Sequence, residues 1–187
     1  MATLIPILHT DRLCLRPWRA EDLDAYAAFC ADPEVMRYLG GDPLSRNDAW
    51  RHLAMMVGHW QLKGFGHWAV EHSDSATVIG RIGLWQPEGW PGVEIGWTLA
   101  RPVWGQGFAR EGAAAALEWG FRQRPFDRVI SLIHKENLRS RSVALALGLH
   151  YCRPTRVCGH PVDLFQIERE TFMQDDRENH SANTCTL

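Results

Sequence analysis

The sequence of 187 residues lacks several features that would place it in a class at once. It has 20 Lys and Arg against 22 Asp and Glu, so no basic excess indicates binding to nucleic acid or an anionic membrane. No apolar run approaches the ~20 residues of a membrane-spanning helix. The first residues lack the basic and apolar regions of a secretory leader. We therefore expect a protein that binds neither nucleic acid nor membrane.

Cysteine is scarce and scattered. The five cysteines, at positions 14, 30, 152, 158 and 185, form no Cys-x-x-Cys pair and do not resemble a disulfide framework. We therefore expect a reducing, cytoplasmic environment. Two of them lie near His150 and His160, but the spacing matches no common zinc site, so we expect no metal.

The composition is otherwise that of an ordinary globular protein, with 45% apolar and 22% charged residues and nine tryptophans. The length fits one domain. We place that domain at residues 1–173 and interpret 174–187, a polar stretch, as a frayed tail.

Hydrophobic periodicity predicts a mixed α+β architecture built on one sheet. Seven strands are predicted, at 12–18, 67–71, 78–85, 93–99, 128–134, 150–157 and 162–169. Four helices are predicted, at 21–30, 45–63, 110–122 and 138–147. The first helix is expected to end at Asp32-Pro33, and the second to bury Trp50, Leu53, Val57 and Trp60.

The most informative stretch joins a strand to a helix through Gly105-Gln-Gly107. Glycines there permit positive φ and close approach of the backbone, so successive N–H groups can converge on an anion at the start of the helix. A pyrophosphate is the natural occupant, although a plain tight turn remains an alternative. Neither glycine is followed by Lys, which excludes a P-loop, and Arg110 stands where a dinucleotide fingerprint needs glycine.

Four ordered motifs resemble the GNAT superfamily of acyl-CoA-dependent N-acetyltransferases over about residues 8–170. Trp104-Gly-Gln-Gly-Phe-Ala109 resembles its motif A, with Trp instead of Arg or Gln at the first position. The stretch from Asn137-Leu-Arg-Ser140 to Gly148 is similar to the Asn-x-x-Ser helix of the family. The opening from Thr10 to Asp22 and Val78-Ile-Gly-Arg-Ile-Gly-Leu84 resemble the RimJ/RimL-like branch, which acetylates the N-termini of ribosomal proteins.

The resemblance implies a GNAT fold, with a splayed mixed sheet of about seven strands and four flanking helices, and acetyl-CoA as co-substrate. The pantetheine arm is then expected between strands 93–99 and 128–134, where free backbone groups can pair with its amides. The resulting cofactor-binding residues are Trp97, Thr98, Leu99, Gly105, Gln106, Gly107, Phe108, Ala109, Arg110, Asn137 and Ser140.

For catalysis, the acceptor amine must lose a proton before it attacks the thioester. Glu94 alternates with Val93 and Ile95, so it faces away from their side of the strand and is our candidate base; a surface Glu is the alternative. Many relatives protonate the thiolate with a Tyr, but Ala144 stands at that place here. Ser140 and Tyr151 are the candidate acids, and a thiolate also leaves without one.

The expected function is acetyl transfer from acetyl-CoA to a primary amine, with a protein or peptide N-terminus as leading acceptor. The alternatives are a small-molecule amine such as an antibiotic or polyamine, a non-catalytic acyl-CoA-binding module, and, remotely, a nucleotide-binding protein. A homodimer is the default expectation for the assembly.

Overall fold

A computed structural model describes residues 4–174. Over this range the chain forms one eight-stranded sheet with helices on both faces. The strands are β1 (Leu8–His9), β2 (Leu13–Arg16), β3 (His67–His72), β4 (Thr77–Trp85), β5 (Glu94–Leu99), β6 (Arg128–Ile133), β7 (His150–Val157) and β8 (His160–Glu168). The α-helices are α1 (Leu23–Cys30), α2 (Pro33–Met36), α3 (Arg46–Lys63), α4 (Phe108–Gln123) and α5 (Leu138–Ala146), and residues 169–174 are also helical. Short 3₁₀ turns cover Ala20–Asp22 and Arg101–Val103.

The sheet has the order β1-β2-β3-β4-β5-β6-β8-β7. Strands β5 and β6 run parallel, with α4 as the crossover between them, and the other neighbouring pairs are antiparallel. The predicted mixed α+β class is therefore confirmed. The additional strand is β1, whose two residues are too few for a periodic signal.

Two apolar cores lie on opposite faces of the sheet. One packs α4 against inward residues such as Ile82, Ile95 and Val129. The other packs α1 and α3 against the opposite face, around Tyr26 and Met56. Strand alternation supplies both faces: on β5, Ile95 and Leu99 face α4, whereas Glu94 and Thr98 lie on the opposite face.

Several predicted helix ends are confirmed by their capping contacts. Ser45 accepts a hydrogen bond from the backbone N–H of Asp48 at the start of α3, and Gly64 ends that helix with φ +72°. Asn137 caps α5, where its side chain accepts from the N–H of Ser140. Gly148 follows α5 with φ +85°.

The first helix ends at Cys30, just before Asp32-Pro33 as predicted. Pro33 then begins the separate turn α2, because Asp32 caps it and proline suits the first helical position.

The prediction for the buried side of α3 was partly wrong. Leu53 and Trp60 are buried as predicted, but Trp50 and Val57 are 58% and 36% exposed. Ala49 and Met56 lie on the buried side of α3 instead. The predicted set and the observed set both have apolar residues at helical spacing. Packing of α3 against α1 buries the set that includes Ala49.

The predicted tail at 174–187 lies outside the described residues beyond Gln174. Cys14, Cys30, Cys152 and Cys158 are free thiols. None of the helices between residues 4 and 174 has the length and apolar character needed to cross a bilayer.

Candidate active site

The sheet opens between β5 and β6. Their register consists of the pair Glu94↔Ile130, beside which the N–H of Ile130 donates to the carbonyl of Val93 over 2.8 Å. The pairing of β4 with β5, in contrast, continues from Trp85↔Glu94 to Gly80↔Leu99. The two parallel strands therefore separate just beyond Glu94, which produces the predicted gap.

Glu94 lies at the point where this gap begins. Its Oε1 accepts from the backbone N–H of Leu132 on β6 over 3.2 Å, and its Oε2 accepts from the indole Nε1–H of Trp90 over 2.7 Å. Burial removes water from the carboxylate and raises the pKa of Glu94 to about 7, although both hydrogen bonds and Arg81 favour the charged form. The side chain is partly buried and hydrogen-bonded, so it differs from an ordinary solvated surface glutamate.

Strand alternation decides which backbone groups of β5 face the gap. The carbonyl of Val93 points to β6, so the N–H and C=O of Ile95, Trp97 and Leu99 point the same way. The expectation that Thr98 offers its backbone to pantetheine is therefore wrong, because its N–H and C=O point to β4, where Thr98 is the partner of Arg81.

The carbonyl of Leu99 is also engaged within the protein. It accepts a hydrogen bond of 2.7 Å from the indole Nε1–H of Trp104, the residue that stands first in the glycine turn. Of the three predicted strand positions, Trp97 keeps both backbone groups directed into the gap, and Leu99 keeps its N–H there.

The glycine turn has the expected conformation. Gly105 and Gly107 have φ of +76° and +84°, and Gly107 is the N-cap of α4. Glu111 makes the first intrahelical bond to the carbonyl of Gly107, so the amides of the preceding turn are not used by the helix. Phe108 is buried and contributes only its backbone, while Gln106 and Arg110 are exposed beside it. Backbone donors, the positive end of α4 and a cation thus meet at one place.

Residues 12–150 match the GNAT acetyltransferase domain. The chain belongs to the GNAT acetyltransferase family. Its relatives include the Bacillus subtilis (strain 168) uncharacterized protein YkkB, 32% identical over 88% of this chain and 96% of that protein. The acetyltransferase from Agrobacterium tumefaciens str. C58 superposes with a TM-score of 0.80 at 28% identity, over 88% of this chain and 95% of that structure.

A more distant structure shows the same fold. The spermidine N-acetyltransferase from Vibrio cholerae, solved in complex with CoA and spermine, has a TM-score of 0.71 at 19% identity, over 88% of this chain and 99% of that one. The predicted GNAT fold and acetyltransferase activity are confirmed. The assignment to the RimJ/RimL-like branch stays a prediction.

In this acetyltransferase Arg12 secures the glycine turn, a role that the sequence did not reveal. Its Nη1 donates to the carbonyl of Gln106 over 3.0 Å and its Nε to Oε2 of Glu111 over 2.8 Å, while its guanidinium lies 4.3 Å from the ring centroid of Phe108. Arg12 is thus a second cation at the turn. It belongs to the opening motif that carried the family resemblance, but periodicity alone could not place it here.

The first turn of α5 faces the same region. Asn137 and Ser140 are partly buried, and the guanidinium of Arg139 stacks over Trp104 at 4.7 Å from the ring centroid. Ala144 is fully buried in the core, so the place of the tyrosine found in many relatives holds no titratable group. Ser140 lies partly buried in this turn, and its role as the acid stays a prediction.

Tyr151 does not come close to Glu94. It lies on β7, which β8 and β6 separate from the gap, and its ring packs edge-on against Phe165. The pairs Tyr151↔Phe165↔Ser131 also place it on the face opposite Glu94. As the acid for the leaving thiolate, Tyr151 is therefore a poor candidate compared with Ser140.

Other features of the described residues lie away from this chemistry. A shallow cleft bordered by Asp127, Arg128 and Glu168 occupies the end of β5 and β6 where the strands still meet, not the gap. No group of three or more His, Cys, Asp or Glu within residues 4–174 is placed to hold a metal ion.

Proposed function

We propose that this enzyme transfers the acetyl group of acetyl-CoA to a primary amine, with Glu94 as the general base. The observation that carries the proposal is the position and state of Glu94. Its carboxylate is held at the opening between β5 and β6 by Leu132 and Trp90, and burial raises its pKa to about 7. A base of that pKa is half ionised near neutral pH, where it can both accept and release a proton.

The proposed cofactor site extends from the glycine turn into the gap. Amides of Gly105 to Arg110 would hold the pyrophosphate, assisted by the cations of Arg12 and Arg110. Backbone groups of Trp97 and the N–H of Leu99 would pair with pantetheine as an added strand does. The CoA bound to the Vibrio cholerae relative supports the choice of co-substrate.

Asn137 and Ser140 are assigned to the thioester end of the cofactor. The Oδ1 atom of Asn137 is used in capping α5, which leaves its amide NH₂ for a carbonyl of the arm. Ser140 follows one turn later, where its hydroxyl can give a proton to sulfur. Because a thiolate has a pKa near 8.5, this help is expected to be small.

The nitrogen loses two protons in the reaction. Glu94 takes the first from the ammonium, directly or through water, and the neutral amine attacks the thioester carbon. A carbon–nitrogen bond forms and gives a tetrahedral oxyanion whose nitrogen carries a positive charge. The carbon–sulfur bond then breaks, the thiolate of CoA leaves, and the second proton passes from the nitrogen to the thiolate or to water. Holding both substrates in the gap supplies much of the rate, because the step becomes effectively unimolecular.

The pKa of Glu94 favours a weakly basic acceptor. An α-ammonium group has a pKa near 7.7–8.0, about one unit above that of Glu94, whereas a lysine side chain near 10.4 lies more than three units above it. We therefore propose a peptide or protein N-terminus as acceptor. Arg81, which lies on the same face opposite Thr98 and is close enough to lower the pKa of Glu94, is a cation that disfavours a polyamine.

A small-molecule amine is the alternative acceptor. The spermidine N-acetyltransferase of Vibrio cholerae has the same fold and acts on such a compound by its name. A non-catalytic acyl-CoA-binding module would keep the glycine turn but would not need a partly buried carboxylate at the opening of the gap. The free thiols at four cysteines favour the cytoplasm as the location of the enzyme.

The test is an acceptor screen that follows thiol release from acetyl-CoA, with N-terminal peptides, polyamines and aminoglycosides as acceptors. We expect turnover with peptides that is lost in Glu94→Gln. Acetyl-CoA at about 100 times its dissociation constant should also stabilise the fold by about 2.7 kcal/mol. An unchanged melting temperature in millimolar acetyl-CoA would refute the proposal, whereas stabilisation without turnover on any amine would favour the binding module.

A further inference from the structure

His67, the first residue of β3, is a buried histidine with one unpaired nitrogen. It is 3% exposed, and its ring stacks on Trp85 with centroids 5.2 Å apart. Its Nδ1 lies 2.5 Å from Nη1 of Arg81. Its Nε2 has no hydrogen-bond partner among residues 4–174.

The contact with Arg81 fixes the tautomer of His67. A guanidinium only donates hydrogen bonds, so Nδ1 must be the acceptor, and the neutral ring then carries its proton on Nε2. Burial and the neighbouring charge of Arg81 lower the pKa of His67 well below its ordinary value of 6.5, so the ring stays neutral. The result is a fixed N–H donor that no protein group uses.

This donor points across the sheet toward the gap. His67, Gly83 and Gly96 are successive cross-strand neighbours on β3, β4 and β5. A Cβ atom on Gly96 would lie 3.2 Å from Nε2 of His67, so the imidazole reaches over Gly83 and ends above Gly96. Gly96 lies two residues after Glu94 on the same face and is partly exposed.

Its neighbour His59 shows that a buried histidine in this region can be fully paired. Nδ1 of His59 contacts the carbonyl of Phe65 at 2.7 Å, and its Nε2 accepts from the N–H of Gln86 at 3.0 Å. A buried N–H without a partner keeps the full penalty of its lost hydration. The unused Nε2–H of His67 is therefore a place where a ligand acceptor atom would stabilise the complex.

We propose that His67 Nε2–H donates a hydrogen bond to the acyl carbonyl oxygen of the thioester and holds the oxyanion that forms there. This inference rests on the proposed function, because it needs the thioester in the gap above Gly96. The acceptor ammonium cannot be the partner, since it too is a donor. As the amine adds to the carbonyl carbon, negative charge grows on the oxygen and the hydrogen bond strengthens, while the proton stays on Nε2.

Arg81 is a positioning residue in this arrangement. It does not meet the substrate but keeps Nδ1 occupied, so that the proton remains on the nitrogen that faces the gap. Gly83 and Gly96 are required as well, because a side chain at either position would meet His67 or its backbone.

The experiment measures the carbonyl stretch of acetyl-CoA labelled with ¹³C at the carbonyl, by isotope-edited infrared spectroscopy of the bound complexes. In wild type the band should lie below that of free acetyl-CoA. His67→Phe keeps a ring on Trp85 but removes the donor, so the band should return toward the free value. His67→Gln restores an N–H donor and should keep part of the shift. The control His59→Phe, beside the same Trp85, should leave the band where it is in wild type.

A bound complex whose band is the same in wild type and His67→Phe overturns the inference, and so does an equal change in His59→Phe. Absence of acetyl-CoA binding in wild type instead refutes the proposed function. If His67→Phe does not fold, wild type alone decides through its preference for acetyl-CoA over S-ethyl-CoA, a thioether without the carbonyl. About a tenfold preference, or about 1.4 kcal/mol, is expected, and equal affinity contradicts the inference.

Turnover gives an independent readout. His67→Phe should lower kcat by about 10²-fold, as loss of one oxyanion donor does elsewhere. The ratio to wild type should be the same at neutral and alkaline pH, because the donor does not titrate there. If kcat of His67→Phe instead returned toward the wild-type value at alkaline pH, His67 would act as a base, which would contradict the inference.

Discussion

The carboxylate of Glu94 accepts a hydrogen bond from the backbone N–H of Leu132. Leu132 lies on β6 just beyond Ile130, where β5 and β6 separate. In a continued parallel pairing, the carbonyl of Ile95 would take that N–H, as the carbonyl of Val93 takes the N–H of Ile130. The side chain of Glu94 thus makes the last hydrogen bond between β5 and β6. Because the two strands separate beyond this point, backbone groups of Ile95 and Trp97 stay available to a ligand. The same contact holds a partly buried base at the edge of the site.

The stability of the protein should depend on the ionisation of Glu94. Because the folded state raises the pKa of Glu94 from 4.5 to about 7, it keeps a proton that the unfolded state releases in this window. The free energy of unfolding should therefore fall as pH rises from about 4.5 to 7, by at most about 3 kcal/mol. Glu94→Gln removes this dependence. In urea unfolding, the free energy of unfolding of the variant should therefore rise relative to that of wild type as pH increases from about 4.5 to 7. An equal pH dependence in both proteins would show that Glu94 has an ordinary pKa.

Gly107→Val tests the glycine turn. A β-branched residue at φ +84° is strained, and its Cβ would lie 3.4 Å from Nη2 of Arg12. Acetyl-CoA affinity should fall at least tenfold, or about 1.4 kcal/mol, in calorimetric titration, with a native circular dichroism spectrum.

Gly159→Val is the matched control. Gly159 has φ +81° in the β7–β8 hairpin, and within the described part of the chain its Cβ would meet no atom inside 4 Å. It carries the same backbone strain at a different place, so affinity should not change. Equal losses in both variants would mean that strain, not phosphate contact, weakens binding.

Arg12→Gln should weaken acetyl-CoA binding by about five- to tenfold, roughly 1 kcal/mol, because it removes a cation and releases Gln106 and Glu111. The loss should shrink in high salt, since part of it is electrostatic. The comparison is Arg156→Gln, in which an arginine that also donates to a loop carbonyl, that of Gly159, is removed from β7. If both variants bind alike, Arg12 does not contribute to the cofactor site.

Ser140 and Tyr151 can be separated by conservative removal of each hydroxyl. Ser140→Ala should lower kcat by about tenfold or less, because general acid catalysis gains little when the leaving group is a thiolate. Tyr151→Phe should leave kcat unchanged, since two strands stand between Tyr151 and the gap. The measurement is the steady-state kcat of each variant at saturating acetyl-CoA. A larger decrease in Tyr151→Phe than in Ser140→Ala would show that Tyr151, not Ser140, is the acid.

The sequence predicted those features that depend on local rules. Positive φ at Gly105 and Gly107, the helix starts near residues 45 and 138, and the alternation that turns Glu94 away from Val93 all follow from residue type and spacing. They need no knowledge of distant contacts.

The features that the sequence did not predict depend on tertiary contacts. Arg12 meets Gln106 across more than ninety positions, and His67 reaches Gly96 only because β3, β4 and β5 are neighbours. The error at Thr98 has the same origin. The pairing of β5 with β4 determines which residues of β5 direct their backbone groups to the gap. This register depends on both strands, so the sequence of β5 alone does not predict it.

The role of Glu94 is tested most directly by the pH dependence of kcat/KM for wild type and Glu94→Gln, with the acceptor that the screen identifies. Wild type should rise with pH and bend near 7, the pKa of Glu94. Glu94→Gln should bind acetyl-CoA as wild type does, lose about 10²-fold or more at neutral pH and lack the bend. Its deficit should shrink toward about pH 9, where the amine loses its proton to solvent. Turnover of Glu94→Gln within about twofold of wild type from about pH 6 to 9 would contradict the assignment of Glu94 as the base.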